Sequence, residues 1–160
     1  MIIGTASTQS PAVEWNRTYG GSSSESFSSV FQTSDGYYIV AGTIQSAGAG
    51  GRDGWLLKLN STGDEVWNRT YGGSGYDYFY SVAQASDGHY IVAGRFSSLA
   101  GSTLPDGWIV KIDNSTGNEI WNRTYGGSDY DWLYSVAQAS DGNYLAAGQI
   151  RSDGAGGSDG

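Results

Sequence analysis

The heptapeptide WNRTYGG occurs three times, at Trp15 to Gly21, Trp67 to Gly73 and Trp121 to Gly127, and no other feature of the chain constrains its fold as tightly. The tryptophans stand 52 and 54 positions apart, so the 160 residues form one unit written about three times over, over 13–66, 67–120 and 121–160. A unit of this length is a supersecondary block that hides its apolar surface only by stacking on its neighbours. The repeat therefore settles the architecture before any single residue does.

Each unit reads as four short strands. In the second, YFYSVAQA (Tyr78 to Ala85) is β-rich and ends at Ser86-Asp87-Gly88, a tight-turn signal. HYIVAGRF (His89 to Phe96) is apolar on both faces around Ile91 to Ala93, which predicts a strand covered on both sides. The loop SSLAGSTLPDG leads to WIVKI (Trp108 to Ile112), and a polar turn over Asn114 to Asn118 leads to EIWNRTY (Glu119 to Tyr125). The first unit repeats this with SSVFQT, YYIVAGTI, WLLKL and EVWNRTY, and the third has LYSVAQA and NYLAAGQI. Trp55 follows Gly42 by 13 positions and Trp108 follows Gly94 by 14, while Trp67 follows Trp55 by 12 and Trp121 follows Trp108 by 13. Both one-residue insertions fall between strands, where they are tolerated; inside a strand either would turn every later side chain to the wrong face.

Composition agrees. Glycine is abundant (26) and proline scarce (2), which suits short strands joined by tight turns. A net charge of −8 argues against a nucleic-acid partner, whose phosphates call for clustered Lys and Arg. The absence of cysteine removes disulfides and thiolate chemistry. No apolar run reaches membrane-spanning length, and the opening MIIGTASTQSPA lacks the basic and apolar segments of a signal peptide.

Four antiparallel strands in each repeat of about fifty residues predict an all-β fold, a β-propeller with three blade-equivalents in this chain. A parallel β-helix is the alternative, but its coils are shorter and would not alternate Asp-Gly turns with long glycine-rich loops. Asp113-Asn-Ser-Thr-Gly117-Asn-Glu-Ile-Trp121 resembles the tryptophan-docking motif of quinoprotein-type (PQQ-like) propeller repeats. The second copy, Asn60 to Trp67, has Asn in place of the Asp and is one residue shorter. The longer pattern TYGGSGYDYFYSVAQASDGHYIVAG is similar to tandem propeller repeats of archaeal and bacterial cell-surface proteins, a resemblance that covers nearly the whole chain. It implies a cell-surface or extracellular location and a structural, blade-docking role for Trp15, Trp67 and Trp121 with Gly63 and Gly117. The quinone and calcium ligands of the quinoprotein enzymes have no recognisable counterparts here.

The end segments are expected to complement each other. Met1 to Ser7 takes the place of a third strand and Val13 to Tyr19 that of a fourth, with residues 1–12 as a closing segment, while Gly160 matches Gly54 and Gly107, each followed by the Trp of a third strand. Three blades do not close a ring. The expected partner is a second copy completing a six-bladed ring, or else further blades of a longer chain.

On the propeller pattern, the loops between fourth and first strands and between second and third strands share one face. That face collects Tyr76, Asp77, Tyr78, Tyr130, Asp131, Trp132, Arg52, Asp53 and Asp106, a mixture of aromatic and hydrogen-bonding groups suited to glycan or protein. The alternative is that the tyrosines pack between blades and the acids cap loop amides. The first unit has Ser24-Glu25-Ser26 in place of Tyr76-Asp77-Tyr78, which points away from a strictly repeated site. Glu25, Asp77 and Asp131 occupy equivalent positions and could offer calcium oxygen ligands, but one acid per blade is sparse and no DxDxDG loop is present, so no metal or other cofactor is assigned. Asp35-Gly36, Asp87-Gly88 and Asp141-Gly142 are read as hairpin turns. Five glycosylation sequons recur, at Asn16, Asn68 and Asn122 in NRT and at Asn60 and Asn114 in NST. The single histidine, His89, is replaced by Tyr37 and Asn143 in its sister units and is expected on a strand surface; catalytic residues are assigned to none of these positions. The sequence thus points to a non-catalytic cell-surface propeller module that binds through its loop face or acts as a scaffold. The competing reading is part of a propeller enzyme, a glycoside hydrolase or quinoprotein-like protein.

Overall fold

A computed structural model of the chain describes the backbone of residues 2–4 and, with side chains, residues 14–97 and 104–152. The Gly-rich end at 153–160, with Gly160, and most of the predicted loop after Phe96 lie outside the described residues, as does the stretch at 5–13. Among the described residues every element is a strand: β1 (Ile2–Gly4), β2 (Trp15–Arg17), β3 (Ser26–Gln32), β4 (Tyr38–Ile44), β5 (Asp53–Leu59), β6 (Glu65–Tyr71), β7 (Tyr78–Gln84), β8 (Tyr90–Phe96), β9 (Asp106–Ile112), β10 (Glu119–Tyr125), β11 (Asp131–Gln138) and β12 (Tyr144–Ile150). The elements follow the predicted pattern, although β5 and β9 each begin two residues ahead of the tryptophan taken as their start.

The strands form two complete four-stranded antiparallel sheets, ordered β3-β4-β5-β6 and β7-β8-β9-β10, and two pairs, β1-β2 and β11-β12. The strand β1 is the short pairing expected for the N-terminal segment, set opposite β2 with Ile2 facing Arg17 and Gly4 facing Trp15. Each first strand carries a bulge at the same place, between Phe27 and Ser29, Phe79 and Ser81, and Leu133 and Ser135. Opposite each bulge lies a glycine, Gly42, Gly94 or Gly148, whose hypothetical Cβ would overlap the carbonyl of Ser26, Tyr78 or Trp132, so the strand crowds in where no side chain stands. The Asp-Gly turns place Gly36, Gly88 and Gly142 at φ +85°, +84° and +88°, a conformation glycine adopts without steric cost.

The sheets stack face to face. Strand β4 is buried along nearly its whole length and β5 along all of it, and Ile91 and Val92 of β8, neighbours that point to opposite faces, are both 0% exposed, as expected for sheets covered on both sides. One core cluster joins Ile39, Ala41 and Leu56 of the first sheet to Phe79, Val82, Val92 and Val110 of the second. A second cluster joins Ile91, Ala93 and Ile109 to Leu133 and Val136 of the β11-β12 pair. The first strands approach one another across these joints: Val82 N–H donates to Ser29 Oγ at 3.3 Å and Val136 N–H to Ser81 Oγ at 3.4 Å. At one end of the same strands Ser34 N–H donates to Gln84 Oε1 at 2.9 Å, and Ser86 N–H to Gln138 Oε1 at 2.7 Å. Of the fourth strands, β6 sends Trp67 into the first core cluster, whereas β10 is exposed along most of its length.

Candidate functional site

The loops that meet at each joint are built from backbone. Between the first two sheets, Asp77 N–H donates to Arg52 O at 2.7 Å, Gly51 N–H and Arg52 N–H donate to Gly75 O at 3.2 and 3.4 Å, and Arg52 and Tyr76 form a parallel bridge. At the next joint Asp131 N–H donates to Pro105 O at 2.8 Å. The structure therefore gathers Arg52, Asp53, Tyr76, Asp77 and Tyr78 at one joint and Asp106, Tyr130, Asp131 and Trp132 at the next, both at the same end of the stack. Within that end the residues separate by chemistry: acids turn inward and aromatics outward.

The acids serve the loops. Asp77 and Asp131 are 0% exposed and Asp53 is 1% exposed. The Asp77 carboxylate accepts from the amides of Gly73 and Ser97, each at 2.7 Å, and so ties the loop entering β7 to the loop leaving β8. Asp131 does the same with Gly127 at 3.0 Å and Arg151 at 2.7 Å, and adds the Ser152 amide at 3.2 Å and hydroxyl at 2.7 Å. Gly72 stands against the carboxylates of Asp53 and Asp77, and Gly126 against those of Asp106 and Asp131, so a side chain there would strike both acids. This explains the first glycine of the recurring TYGG. Burial raises the carboxyl of Asp77 above its ordinary range, and nearby Asp53 adds to the rise against the pull of the two amides. Burial also raises Asp53, and Asp106, where Asp131 contributes. Asp131 is itself desolvated, but its hydrogen bonds from Ser152, Arg151 and Gly127 outweigh that and leave it below the ordinary value. Glu25, in the matching place of the first sheet, buries Oε1 without a partner, as Asp53 does Oδ2. Among the described residues no three of His, Cys, Asp and Glu come together as metal ligands would.

The aromatics form a continuous strip. Ring centroids lie 6.1 Å apart for Tyr78 and Tyr80, 5.6 Å for Tyr80 and Tyr134, 6.1 Å for Tyr134 and Trp132, and 6.3 Å for Trp132 and Tyr130. Strand alternation produces it: Tyr78 and Tyr80 on β7, and Trp132 and Tyr134 on β11, are two residues apart and share a face. Arg95, opposite Tyr78 in the β7-β8 ladder, places its guanidinium carbon 4.0 Å from the Tyr78 ring centroid and 5.3 Å from that of Trp132, sandwiched as a cation between ring faces. Arg95 Nε and Trp132 Nε1 are buried donors with no protein acceptor. An open cavity of about 330 Å³ lies at the head of the strip, lined by Tyr76, Tyr78, Arg95, Ser97, Pro105 and Tyr130. Tyr76 and Tyr130 remain 58% and 38% exposed around it, and Tyr134, farther along the strip, 46%.

The positions named for docking lie at the other end of the sheets. Gly63, at φ +80°, sits against the Trp15 ring, and Gly117, at φ +73°, against the Trp67 ring, where a Cβ would stand 3.1 Å from the indole. Tyr19 OH donates to Gly63 O, and Tyr71 OH donates to Gly117 O at 2.5 Å. Trp15 and Trp67 thus dock on the turn of the following sheet and on its tyrosine, Tyr38 and Tyr90, and Trp121 packs on Tyr144. The sequons divide. Asn16 and Asn122 are exposed, Asn122 donating its Nδ2 to Glu119 Oε1 at 2.5 Å, whereas Asn68 accepts from Trp55 Nε1 at 2.6 Å, Asn60 accepts from the Thr62 and Asp64 amides at 3.0 and 2.8 Å, and Asn114 is half-buried beneath Lys58 and Trp67. His89 departs from the surface-strand reading: it precedes β8 and is half-buried, its Nδ1 accepting from Asn114 N–H at 3.3 Å and lying 3.8 Å from Asp113. The polar turn, which the spacing alone leaves unexplained, draws it inward.

Three members of the strip, Tyr80, Tyr134 and Arg95, are not apparent from motif reading. Arg95 lies just past the stretch around Ile91 to Ala93 that reads as covered on both faces. The signal that finds them is disagreement between repeats: positions 28, 80 and 134 hold Ser, Tyr and Tyr, and positions 43, 95 and 149 hold Thr, Arg and Gln, in stretches that otherwise repeat closely. Compared with known proteins, the chain matches no family model, and no curated protein matches it.

Proposed function

We propose that the chain is a non-catalytic β-propeller module of a cell surface, which binds a glycan on the aromatic strip of β7 and β11. Radial packing is supported by the first strands, which approach one another at both described joints. It is supported also by the recurring Trp-on-Gly docking between successive sheets. The surface location is favoured by the exposed sequons at Asn16 and Asn122.

The observation that carries the binding reading is the strip itself, five rings in series beside a guanidinium. The exposed rings of Tyr76, Tyr130 and Tyr134 hold the apolar face of a sugar, while Tyr78 and Trp132, clamped on Arg95, fix the strip's shape and the tyrosine hydroxyls supply directional groups at its edge. An acid/base enzyme is less well supported, because the acids of this end, Asp53, Asp77 and Asp131, lie under the loops with their oxygens largely engaged by amides or out of reach of solvent. The test is titration of the protein with neutral oligosaccharides chosen from a glycan array, read by tryptophan fluorescence and calorimetry. Binding that weakens about tenfold in Trp132→Ala, or about 1.4 kcal/mol, supports the reading. Failure of every glycan to bind, or unchanged affinity in Trp132→Ala, overturns it.

A further inference from the structure

The clamp on Arg95 leaves most of that side chain's chemistry unused. The Tyr78 and Trp132 rings flank the guanidinium, their centroids 4.0 and 5.3 Å from its carbon. A flanking ring offers a cation its π cloud but no oxygen, so the planar fork of N–H donors keeps its capacity for an acceptor. Among the described residues none takes it: the ion pairs are Arg17 with Asp64, His89 with Asp113 and Lys111 with Asp87, and Arg95 Nε is buried without an acceptor. We infer that the glycan of this site is acidic, and that the carboxylate of a uronic-acid unit seats in the cavity against Arg95. The inference rests on the strip binding a glycan, as proposed above.

The frame does not require this charge. Arg95 faces Tyr78 across the ladder as Thr43 faces Ser26 and Gln149 faces Trp132, so both sister units build the same strand with a neutral residue. Nor do the nearby acids answer it. Asp77 turns one oxygen to the Gly73 amide and the other to the Ser97 amide, and Asp129 accepts from the amide of Tyr130. A cation set between rings and denied a counter-ion carries an uncompensated desolvation cost, which an anion brought by a ligand offsets.

The size of the cavity narrows the choice of anion. Arg95 stands in its wall with Ser97, Pro105 and the three tyrosines, around about 330 Å³. That is near the lower bound for small-molecule sites, roughly 300 Å³, so it takes one unit of a chain whose neighbours run along the exposed rings. A carboxylate matches the guanidinium fork with two parallel hydrogen bonds. On a uronic acid it is borne directly by the sugar ring, so one unit can reach Arg95 and lie on an exposed tyrosine within so small a space; a sulfate ester is bulkier and stands off on a further oxygen. The chain's net charge of −8 opposes any anion at long range. Such repulsion is largely screened beyond about 8 Å at physiological salt, whereas a partly buried pair is screened much less, so the contact at Arg95 decides.

The test uses the whole chain and calorimetry. Trisaccharides of galacturonic, glucuronic and mannuronic acid are compared with the same trisaccharides reduced at their carboxyls to alcohols. At least one acid is expected to bind about tenfold tighter than its reduced form, the scale of a charge-assisted pair. That ratio should fall to about one in Arg95→Gln, a residue the third unit already carries at this place, and to about threefold in Arg95→Lys, which keeps the charge without the fork. Because the readout is a ratio within each protein, a general loosening of the clamp cancels. Equal binding by acid and reduced forms of all three sugars, still weakened by Trp132→Ala, overturns the acidic ligand and leaves the strip reading standing. No binding by any form overturns both. A preference that survives in Arg95→Gln overturns the part given to Arg95, and tighter binding by the reduced trisaccharides once sulfated at O6 overturns the carboxylate.

Discussion

The first and second complete sheets share a backbone and differ in what they present. Their ladders match residue for residue, including the bulge after Phe27 and after Phe79, and Trp55 stacks on Phe27 at 4.6 Å as Trp108 does on Phe79 at 4.8 Å. Yet where the second carries Tyr76, Tyr78, Tyr80 and Arg95, the first carries Ser24, Ser26, Ser28 and Thr43. Frame and function are thereby separated. Positions that dock, bulge or turn are held in both sheets, because each answers a steric or hydrogen-bonding demand of its neighbour, while the positions that make the strip in the second sheet diverge in the first, even at the buried Thr43.

This contrast can be attacked from both sides. The largest effect is expected from Gly42→Val and Gly94→Val, each forcing a side chain into the carbonyl across the bulge; both should cost about 3 kcal/mol in urea unfolding. A much smaller loss in either one would show that the two frames are not equivalent. A smaller effect, in the opposite sense, is expected from Ser26→Tyr with Ser28→Tyr. These place rings on β3 next to Tyr80, and so lengthen the strip across a further joint, strengthening glycan binding about threefold with stability changed by less than about 0.5 kcal/mol, as for exposed positions. No gain would mean that the strip acts through its local cavity rather than its length.

The smallest effect separates the second joint from the first by pH. Asp77 is raised in the folded protein, so the folded state holds its proton more tightly and stability from this group grows as pH falls toward and below the ordinary carboxylate value. Asp131 is lowered, so its contribution is complete above that value and is lost as pH falls through the range beneath it. Asp77→Asn should therefore steepen the loss of stability between pH 7 and pH 3, and Asp131→Asn should flatten it, as followed by urea unfolding across that range. Equal slopes in the two variants would show that the joints are electrostatically alike.

Much of the frame was legible in the sequence because its determinants are local. Asp-Gly pairs fix turns, and the apolar runs around Ile39 and Ile91 announce sheets covered on both faces. The short pairing of β1 with β2 was legible too, although MII is a poor match to WLLKL, because register follows from the WNR that it faces. The candidate surface was legible only in part. Tyr76, Tyr78, Tyr130 and Trp132 carry their chemistry openly, but composition could not separate them from Asp77 and Asp131, which stand beside them in the chain and point the other way. That division is made by loop amides contributed from residues about twenty positions distant, at Ser97 and Arg151. Arg95 was hidden for a related reason: its partners Tyr78 and Trp132 belong to two different sheets.

The serine and glutamine links between first strands have a consequence for how such a chain can change. Every seam uses the same pair of chemical handles, so any unit fits behind any other. Removing or duplicating one stretch of gene encoding a whole repeat would leave no mismatched seam, only a stack shorter or longer by one sheet. Length can thus change by whole repeats without any seam being remade.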